Sequence, residues 1–313
     1  MIKVRVKIYS EDLDFWKKWH SQTNKKSVIM LRTLKNLLFL ISPIMLLMKI
    51  KHGIRINKIT YNKKKRKCLV IGNGPSLNND LANIKEDREN ADIFCVNAFP
   101  LTEHFFNLKP EYFVLMDTAW WREDPNKDVL LRRNNIYNRL KDVDWKLQII
   151  VSNNADVVFV KNQICNENIE VVKTKTVNIY RPLNSNAFKF YETGYFGPPF
   201  TNVLVFVLYI AVMAGYRDID IYGADLSYFF LIDVDQETNK VFIKNEHFYE
   251  TGEKELLFVN EGEDARGSTM HEFFQSQAST YKSHELINEF ATSRGIQIYN
   301  RSSYSTIDAY PRE

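Results

Sequence analysis

Cysteine is scarce in this 313-residue chain: there are three, Cys68, Cys95 and Cys165. An odd number with no zinc-ligand spacing excludes a disulfide framework and a structural zinc module. Cys68 and Cys95 sit in apolar, strand-like runs and read as buried free thiols. A charge excess is missing too. With 42 Lys and Arg against 38 Asp and Glu, the formal net charge of +4 is too mild for a nucleic-acid-binding surface. Long apolar runs are absent. The best candidate, residues 36–50 (NLLFLISPIMLLMKI), falls short of the ~20 residues a spanning helix needs, and Pro43 interrupts it. The chain opens on mixed, charged residues with no small-residue cleavage site after an early apolar core, so no secretory signal is expected. Internal repeats and low-complexity tracts are also lacking, which excludes solenoids and fibrous folds.

What positive charge there is concentrates locally. Residues 49–67 are rich in Lys and Arg and contain no Asp or Glu. A basic block beside an apolar run points to a membrane surface rather than to nucleic acid. The run 36–50 reads first as a helix lying in the cytoplasmic face of a membrane, second as a packing helix, and last as a true span. The expected location is cytoplasmic, peripheral to the inner membrane face.

Hydrophobic residues make up 45% and charged residues 26%, as in a folded globular protein. The 21 Phe, 16 Tyr and 5 Trp are chiefly core, although sugar and base sites use aromatic faces as well. Residues 1–66 read as an N-terminal appendage, with an alternating strand pattern at 2–9 and a short helix at 12–20. Residues 67–313 read as the catalytic, nucleotide-binding domain. There, short apolar strands at 68–71, 91–97, 112–117, 147–151, 169–172, 218–222 and 296–300 alternate with helices at 77–84, 128–140, 202–214 and 281–293. Residues 229–268 read as a long, irregular, polar lid or acceptor loop. The alternation predicts an α/β, Rossmann-like fold, a mostly parallel sheet with helices on both faces. Ligands in such sheets bind beyond the carboxyl ends of the strands, where strand order reverses. Here the strand ends are small or polar: Gly72-Asn73, Asn97, Asp117, Ser152-Asn153, Gly223-Asp225 and Asn300.

The loop Gly72-Asn73-Gly74-Pro75-Ser76 is the most informative segment. Two glycines after a strand allow a sharp turn and a close backbone approach. Pro75 presets a helix entry and Ser76 is a candidate cap. Free N–H groups at that helix start favour a phosphate. The loop is neither the dinucleotide fingerprint, because Leu77 stands where a third small residue belongs, nor a Walker loop. A second element is Pro199-Phe200-Thr201-Asn202 opening an apolar helix, with Thr201 as its expected cap and Gly215 as its stop. The strand after it ends at Gly223-Ala224-Asp225, where Asp225 either accepts from sugar hydroxyls or caps a turn.

These segments, LVIGNGPSL (69–77), CVNAF (95–99), residues 200–228 and IQIYN (296–300), resemble the bacterial sialyltransferases of glycosyltransferase family 42 and the related proteins grouped with archaeal pterin pyrophosphokinases. The resemblance covers most of 67–300 and none of the first 66 residues. It implies a GT-A-variant Rossmann-like domain with a mobile lid, a CMP-sugar donor carrying sialic acid or a Kdo-like sugar, no required metal or cofactor, and a His base. By the same resemblance Asn73 and Asn97 lie near the donor phosphate and nucleotide, Thr201 and Asn202 line the donor site, and Gly223 and Asp225 hold the cytidine and ribose side; Gly72, Gly74 and Ser76 are read as binding residues from the loop itself. The sequence departs from the family at Asn202, where the family has Ser, at Tyr228, displaced by one position, at Pro198-Pro199-Phe200, where a basic residue is missing, and at Asp117, where the family has Asn. An Asp there has three open roles: acceptor contact, metal ligand or nucleophile.

A neutral His suits removal of an acceptor proton near pH 7. His247 is favoured, in Asn245-Glu246-His247-Phe248-Tyr249, with His271 second; His284 reads as surface or packing. Tyr228 and Tyr249 are candidates to donate to the departing phosphate. The expected function is glycosyl transfer from a nucleotide-sugar donor to a glycan or lipid-linked acceptor in surface polysaccharide synthesis, on a membrane surface and without nucleic acid. The alternatives are an ATP- and Mg-dependent diphosphokinase of the pterin pyrophosphokinase-like type, for which Asp117 with Asp225 is the one visible acidic pair, and a non-enzymatic nucleotide-binding membrane protein.

Overall fold

The computed structural model describes residues 53–61, 63–121, 127–179, 187–247, 250–256 and 267–312. The strand expected at 2–9, the helix at 12–20 and the apolar run 36–50 lie outside the described residues. The chain divides into two compact units, Met1–Lys51 and His52–Glu313, and the fold described is that of the second. This unit reaches back past the boundary expected at residue 66. Ile54 bridges Thr174, and Ile56 and Ile59 are buried.

Seven parallel strands form its centre: β1 (Lys67–Ile71), β2 (Ala91–Val96), β3 (Tyr112–Leu115), β4 (Leu147–Val151), β5 (Ile169–Lys173), β8 (Asp218–Tyr222) and β12 (Gln297–Asn300). Their order is β12-β8-β1-β2-β3-β4-β5, and every pairing is parallel. Residues of β2, β3 and β4 are buried throughout. Burial on both faces is why these strands read as short continuous apolar runs rather than alternating ones. The chain steps outward from β1 to β5, then returns to the other side of β1 as β8. The strand order therefore reverses between β1 and β8.

The helices are α1 (Leu77–Asp87), α2 (Glu103–Leu108), α3 (Lys127–Lys141), α4 (Val157–Ile164), α5 (Ala187–Glu192), α6 (Val203–Met213) and α7 (Met270–Ser293). Two-residue strands β6 (Val177–Asn178) and β7 (Phe196–Gly197) pair with each other. Helix α6 is apolar all round and buries eight consecutive residues, Val205 to Val212, as a helix covered on every side must. It crosses β1, β2 and β3 and packs against α7. Helix α7 starts earlier than the pattern at 281–293 predicts, because Thr269 and Glu272 form a reciprocal capping box.

One expectation is corrected. The segment 229–268 is not irregular throughout: β9 (Ile232–Val234), β10 (Val241–His247) and β11 (Glu250–Leu256) form an antiparallel three-stranded sheet. The basic run Lys63–Lys67 is tied to the fold. Lys63 Nζ donates to the Gly215 carbonyl at the end of α6 (2.7 Å), and Lys67 pairs with Asp87 and Asp220 (2.9 Å each). The backbone N–H groups of Lys64 and Lys65 both donate to Asp92, which also accepts from Tyr216. These contacts fix the basic run at the amino ends of the strands. Among the described residues, no helix is long and apolar enough to cross a membrane.

Candidate functional site

A cleft of about 640 Å3, counting its open mouth, lies at the β1/β8 reversal. The loop after β1 (Gly72 to Pro75), the end of β2 (Val96, Asn97), the start of α6 (Asn202 to Leu204) and the loop after β8 (Gly223 to Tyr228, with Leu231) line it. Gly72, Asn73, Gly74, Asn97, Asn202, Gly223, Asp225 and Tyr228, all anticipated from sequence, therefore converge. Thr201 and Asp117 are not among the lining residues. Asp117 is exposed and caps the turn after β3, accepting from the Ala119 N–H at 2.9 Å. The Thr201 hydroxyl is buried and without a partner among the described residues. Val203, Leu204, Ser227 and Leu231 were not anticipated; residues 203 and 204 could have been, as the first residues of a helix expected at a strand end.

The glycines of the first loop face protein rather than open space. Gly72 N–H donates to Tyr222 O and Gly74 N–H to Gly223 O, each at 2.8 Å. A Cβ on Gly72 would sit 2.4 Å from Gly223 O, and one on Gly74 2.0 Å from Asp225 Oδ1. Gly223, at φ +63°, turns the β8 loop into this contact. Two backbones thus run side by side across the reversal. Gly72→Ala is expected to lower stability by about 1–3 kcal/mol, because the atom it meets is backbone and cannot rotate away. The urea midpoint should fall without a change in slope.

Asp225 locks the same junction. Its Oδ1 accepts from Ser76 Oγ at 2.6 Å and its Oδ2 from Ser76 N at 3.0 Å. Burial raises its pKa, opposed by the Ser76 bonds. Ser76 therefore does not cap α1 through its side chain; its hydroxyl is spent on Asp225. A carboxylate already occupies the positive end of α1, the place where a phosphate was expected. The N–H groups of Leu77, Asn78 and Asn79 close back onto Gly74, Pro75 and Ser76. The C-terminal segment braces the arrangement from outside: Ser302 Oγ accepts from Ala224 N, Ser305 Oγ donates to Ala224 O, and Thr306 N donates to Asp225 O.

The start of α6 is different. Asn202, not Thr201, is its cap, accepting from Val205 N at 3.0 Å. The N–H groups of Val203 and Leu204 have no partner among the described residues and both residues line the cleft. Facing them, Asn73 donates from Nδ2 to Val96 O at 3.1 Å and leaves its buried Oδ1 unpartnered. Asn97 holds a left-handed conformation at φ +49°, which Asn tolerates better than most residues. Burial of the Tyr228 hydroxyl raises its pKa, helped by Asp225, so it stays a donor at neutral pH.

Behind the cap stands His284, fully buried. Its Nε2 lies 3.2 Å from Asn202 Nδ2 and its Nδ1 2.7 Å from Tyr310 Oη. Because Asn202 Oδ1 is committed to a backbone N–H, its Nδ2 must donate, so Nε2 accepts and Nδ1 carries the proton. Desolvation lowers the His284 pKa to about 3, consistent with a neutral ring. Of the two roles read for His284, packing holds and surface does not. His247 ends β10, but its side chain, and Tyr249 altogether, lie outside the described parts. His271 is the exposed second residue of α7.

The acidic pair that a magnesium site would need is not assembled. Both Asp225 oxygens are engaged by Ser76, Asp117 caps a turn, and no group of three His, Cys, Asp or Glu is placed to hold a metal among the described residues. These residues do not fit a divalent cation.

A search of the curated proteins finds no match. Among solved structures, the chain is similar to a MAf glycosyltransferase from Magnetospirillum magneticum AMB-1, at 14% identity and a TM-score of 0.46. That alignment covers 87% of this chain but only 37% of the other. The apo structure of FabMG, an enoyl-acyl carrier protein reductase, is more distant, at 12% identity and a TM-score of 0.20, covering 78% of this chain and 62% of that one. Likenesses this remote carry no argument about activity. The family model described as 6-hydroxymethylpterin diphosphokinase MptE-like matches residues 45–229, more than half of the sequence, and the chain belongs to that MptE-like family.

Proposed function

We propose that this protein is a glycosyltransferase that takes a sialic-acid- or Kdo-like sugar from a CMP-sugar and passes it to a glycan or lipid-linked acceptor in surface polysaccharide synthesis, at the cytoplasmic face of the membrane. The observation that carries the reading is the charge of the cleft. Its described lining contains no Lys or Arg, and the helix start that brings free N–H groups into that lining is that of α6. A helix N-terminus supplies roughly half a positive charge. That suits the single phosphodiester of a CMP-sugar and is a poor match for a triphosphate, which needs metal or several cations.

In this arrangement the donor phosphate sits against Val203 and Leu204 N–H. Asn73 Oδ1 and the Asn97 side chain offer polar groups to the nucleotide and sugar, and Asn202 holds the helix start beside them. The acceptor oxygen attacks the anomeric carbon, the bond from that carbon to the phosphate oxygen breaks, and CMP leaves with the electron pair. Negative charge grows on the phosphate as it departs, where the α6 N–H groups and the Tyr228 hydroxyl are placed to meet it. His247 is proposed to take the acceptor proton.

The family description favours a second reading, an ATP-dependent diphosphokinase. Calorimetry with CMP, UDP, GDP and ATP, each with and without magnesium, separates the two. CMP is expected to bind most tightly, with no dependence on magnesium, and Asn73→Ala is expected to weaken it about tenfold, the loss of one hydrogen-bonding group in a buried site. Binding of ATP alone, and only with magnesium, overturns the proposal. A preference for UDP or GDP retains glycosyl transfer and replaces the donor.

A further inference from the structure

The exposed apolar side chains of this fold collect at one pole. Tyr228, Phe229 and Phe230 follow the carboxyl end of β8, and Tyr304 follows that of β12. Phe274 stands early in α7, whose far end feeds the amino end of β12. On the other flank, Ile54 pairs with Thr174 just past β5, and Val158 opens α4 just past β4. Leu131 lies in the first half of α3, which descends from that same edge to β4. These are all of the large apolar side chains that stand exposed among the described residues. The amino pole instead presents Lys64, Lys65 and Arg66.

Exposure here is substantial: Val158 is 68% exposed, Phe230 63% and Phe274 55%. The two flanks lie on opposite sides of the cleft. Val158 follows β4 and Phe229 and Phe230 follow β8, four strand intervals away in the sheet, which at ~4.8 Å spacing sets them about 19 Å apart. A sugar or a short peptide meets one flank only, whereas an extended apolar phase meets both.

We infer that the carboxyl pole docks on a lipid bilayer, with Phe229, Phe230 and Phe274 entering the headgroup–acyl boundary on one flank of the cleft and Val158 on the other. The cleft then opens toward the membrane, where the sugar-accepting end of a lipid-linked acceptor lies. The inference builds on the peripheral-membrane part of the proposed function and changes its geometry. The basic run Lys63–Lys67, at the opposite pole, turns away from the bilayer and does not anchor it.

The test uses the full chain, with vesicles of neutral phosphatidylcholine and of phosphatidylcholine mixed with anionic phosphatidylglycerol. Combined replacement Phe229→Ser, Phe230→Ser and Phe274→Ser is expected to lower partitioning about tenfold or more on both vesicle types. Combined Lys64→Gln, Lys65→Gln and Arg66→Gln is expected to leave it unchanged. The inference is overturned if the aromatic variant partitions like the wild type, if wild type does not bind vesicles, or if only the basic variant is impaired. It is equally overturned if sedimentation shows a wild-type dimer that the aromatic variant dissolves while vesicles bind neither, since the pole then covers a second copy. CMP affinity measured without lipid is expected to be the same in wild type and aromatic variant. Loss of the docking result therefore leaves the donor reading standing, and loss of CMP binding leaves the docking result standing.

Discussion

Replacing His247 with Ala is expected to slow sugar transfer by about 10²–10⁴-fold, the range for loss of a general base, with little change in CMP affinity. His247 closes β10, on the antiparallel sheet that begins immediately after Leu231, a lining residue of the cleft. His284 is excluded as a base because it is fully buried, its pKa lies near 3 and both its ring nitrogens are engaged. His271 is the exposed second residue of α7. The effect should fall on kcat, because the proton moves only as the acceptor attacks, while in the proposed arrangement α6 and the asparagines hold the donor. His271→Ala, made in parallel, is expected to keep wild-type rates. A His247→Ala enzyme with normal kcat, or a His271→Ala enzyme that has lost it, would reverse the assignment.

The parts of this fold that are legible in sequence share one physical cause. A parallel strand buried on both faces must be a short apolar run, and three of these runs, β1, β2 and β8, end in glycine or a polar residue that lines the cleft. All seven central strands are found within two residues of their expected bounds for that reason; β3, which stops at Leu115, two short of Asp117, departs most. The start of α6 is legible because Asn202 precedes an unbroken apolar helix. The partner of Ser76 is not, since Asp225 lies 149 residues away along the chain and nothing local reports that contact. Reading Gly72 and Gly74 as room for a ligand was the natural inference, whereas the contact that demands them is the β8 loop. The antiparallel sheet at 232–256 was hidden by its polar strands: Glu250–Leu256 reads ETGEKEL, with too few apolar residues to show a period of two. The earlier start of α7 was visible in Thr269-Met270-His271-Glu272, the spacing of a capping box.

The second large effect is on stability in acid, and it comes from His284. In the unfolded chain this ring takes up a proton near its ordinary value of 6.5; in the folded protein burial holds that back until about pH 3. Between those values the unfolded state binds more protons, so stability rises with pH and is lost as pH falls. One pKa unit corresponds to about 1.4 kcal/mol. Moving from pH 6.5 to 5 should therefore cost about 2 kcal/mol from this residue, and the whole window about 5 kcal/mol. His284→Leu removes the titration: it is expected to be less stable than wild type at pH 7, having lost the bonds to Asn202 and Tyr310, yet to show a flatter stability profile between pH 7 and 5. Equal slopes in urea titrations of the two proteins would show that another group carries the acid sensitivity. The consequence reaches the cleft, because a proton on Nε2 would face the Asn202 amide hydrogens across 3.2 Å. Asn202 would have to turn, giving up Val205 N–H and with it the cap of α6. CMP affinity is then expected to weaken as the folded protein approaches its acid limit, before the sheet itself unfolds, since the cap can open while the packed strands beneath it remain buried.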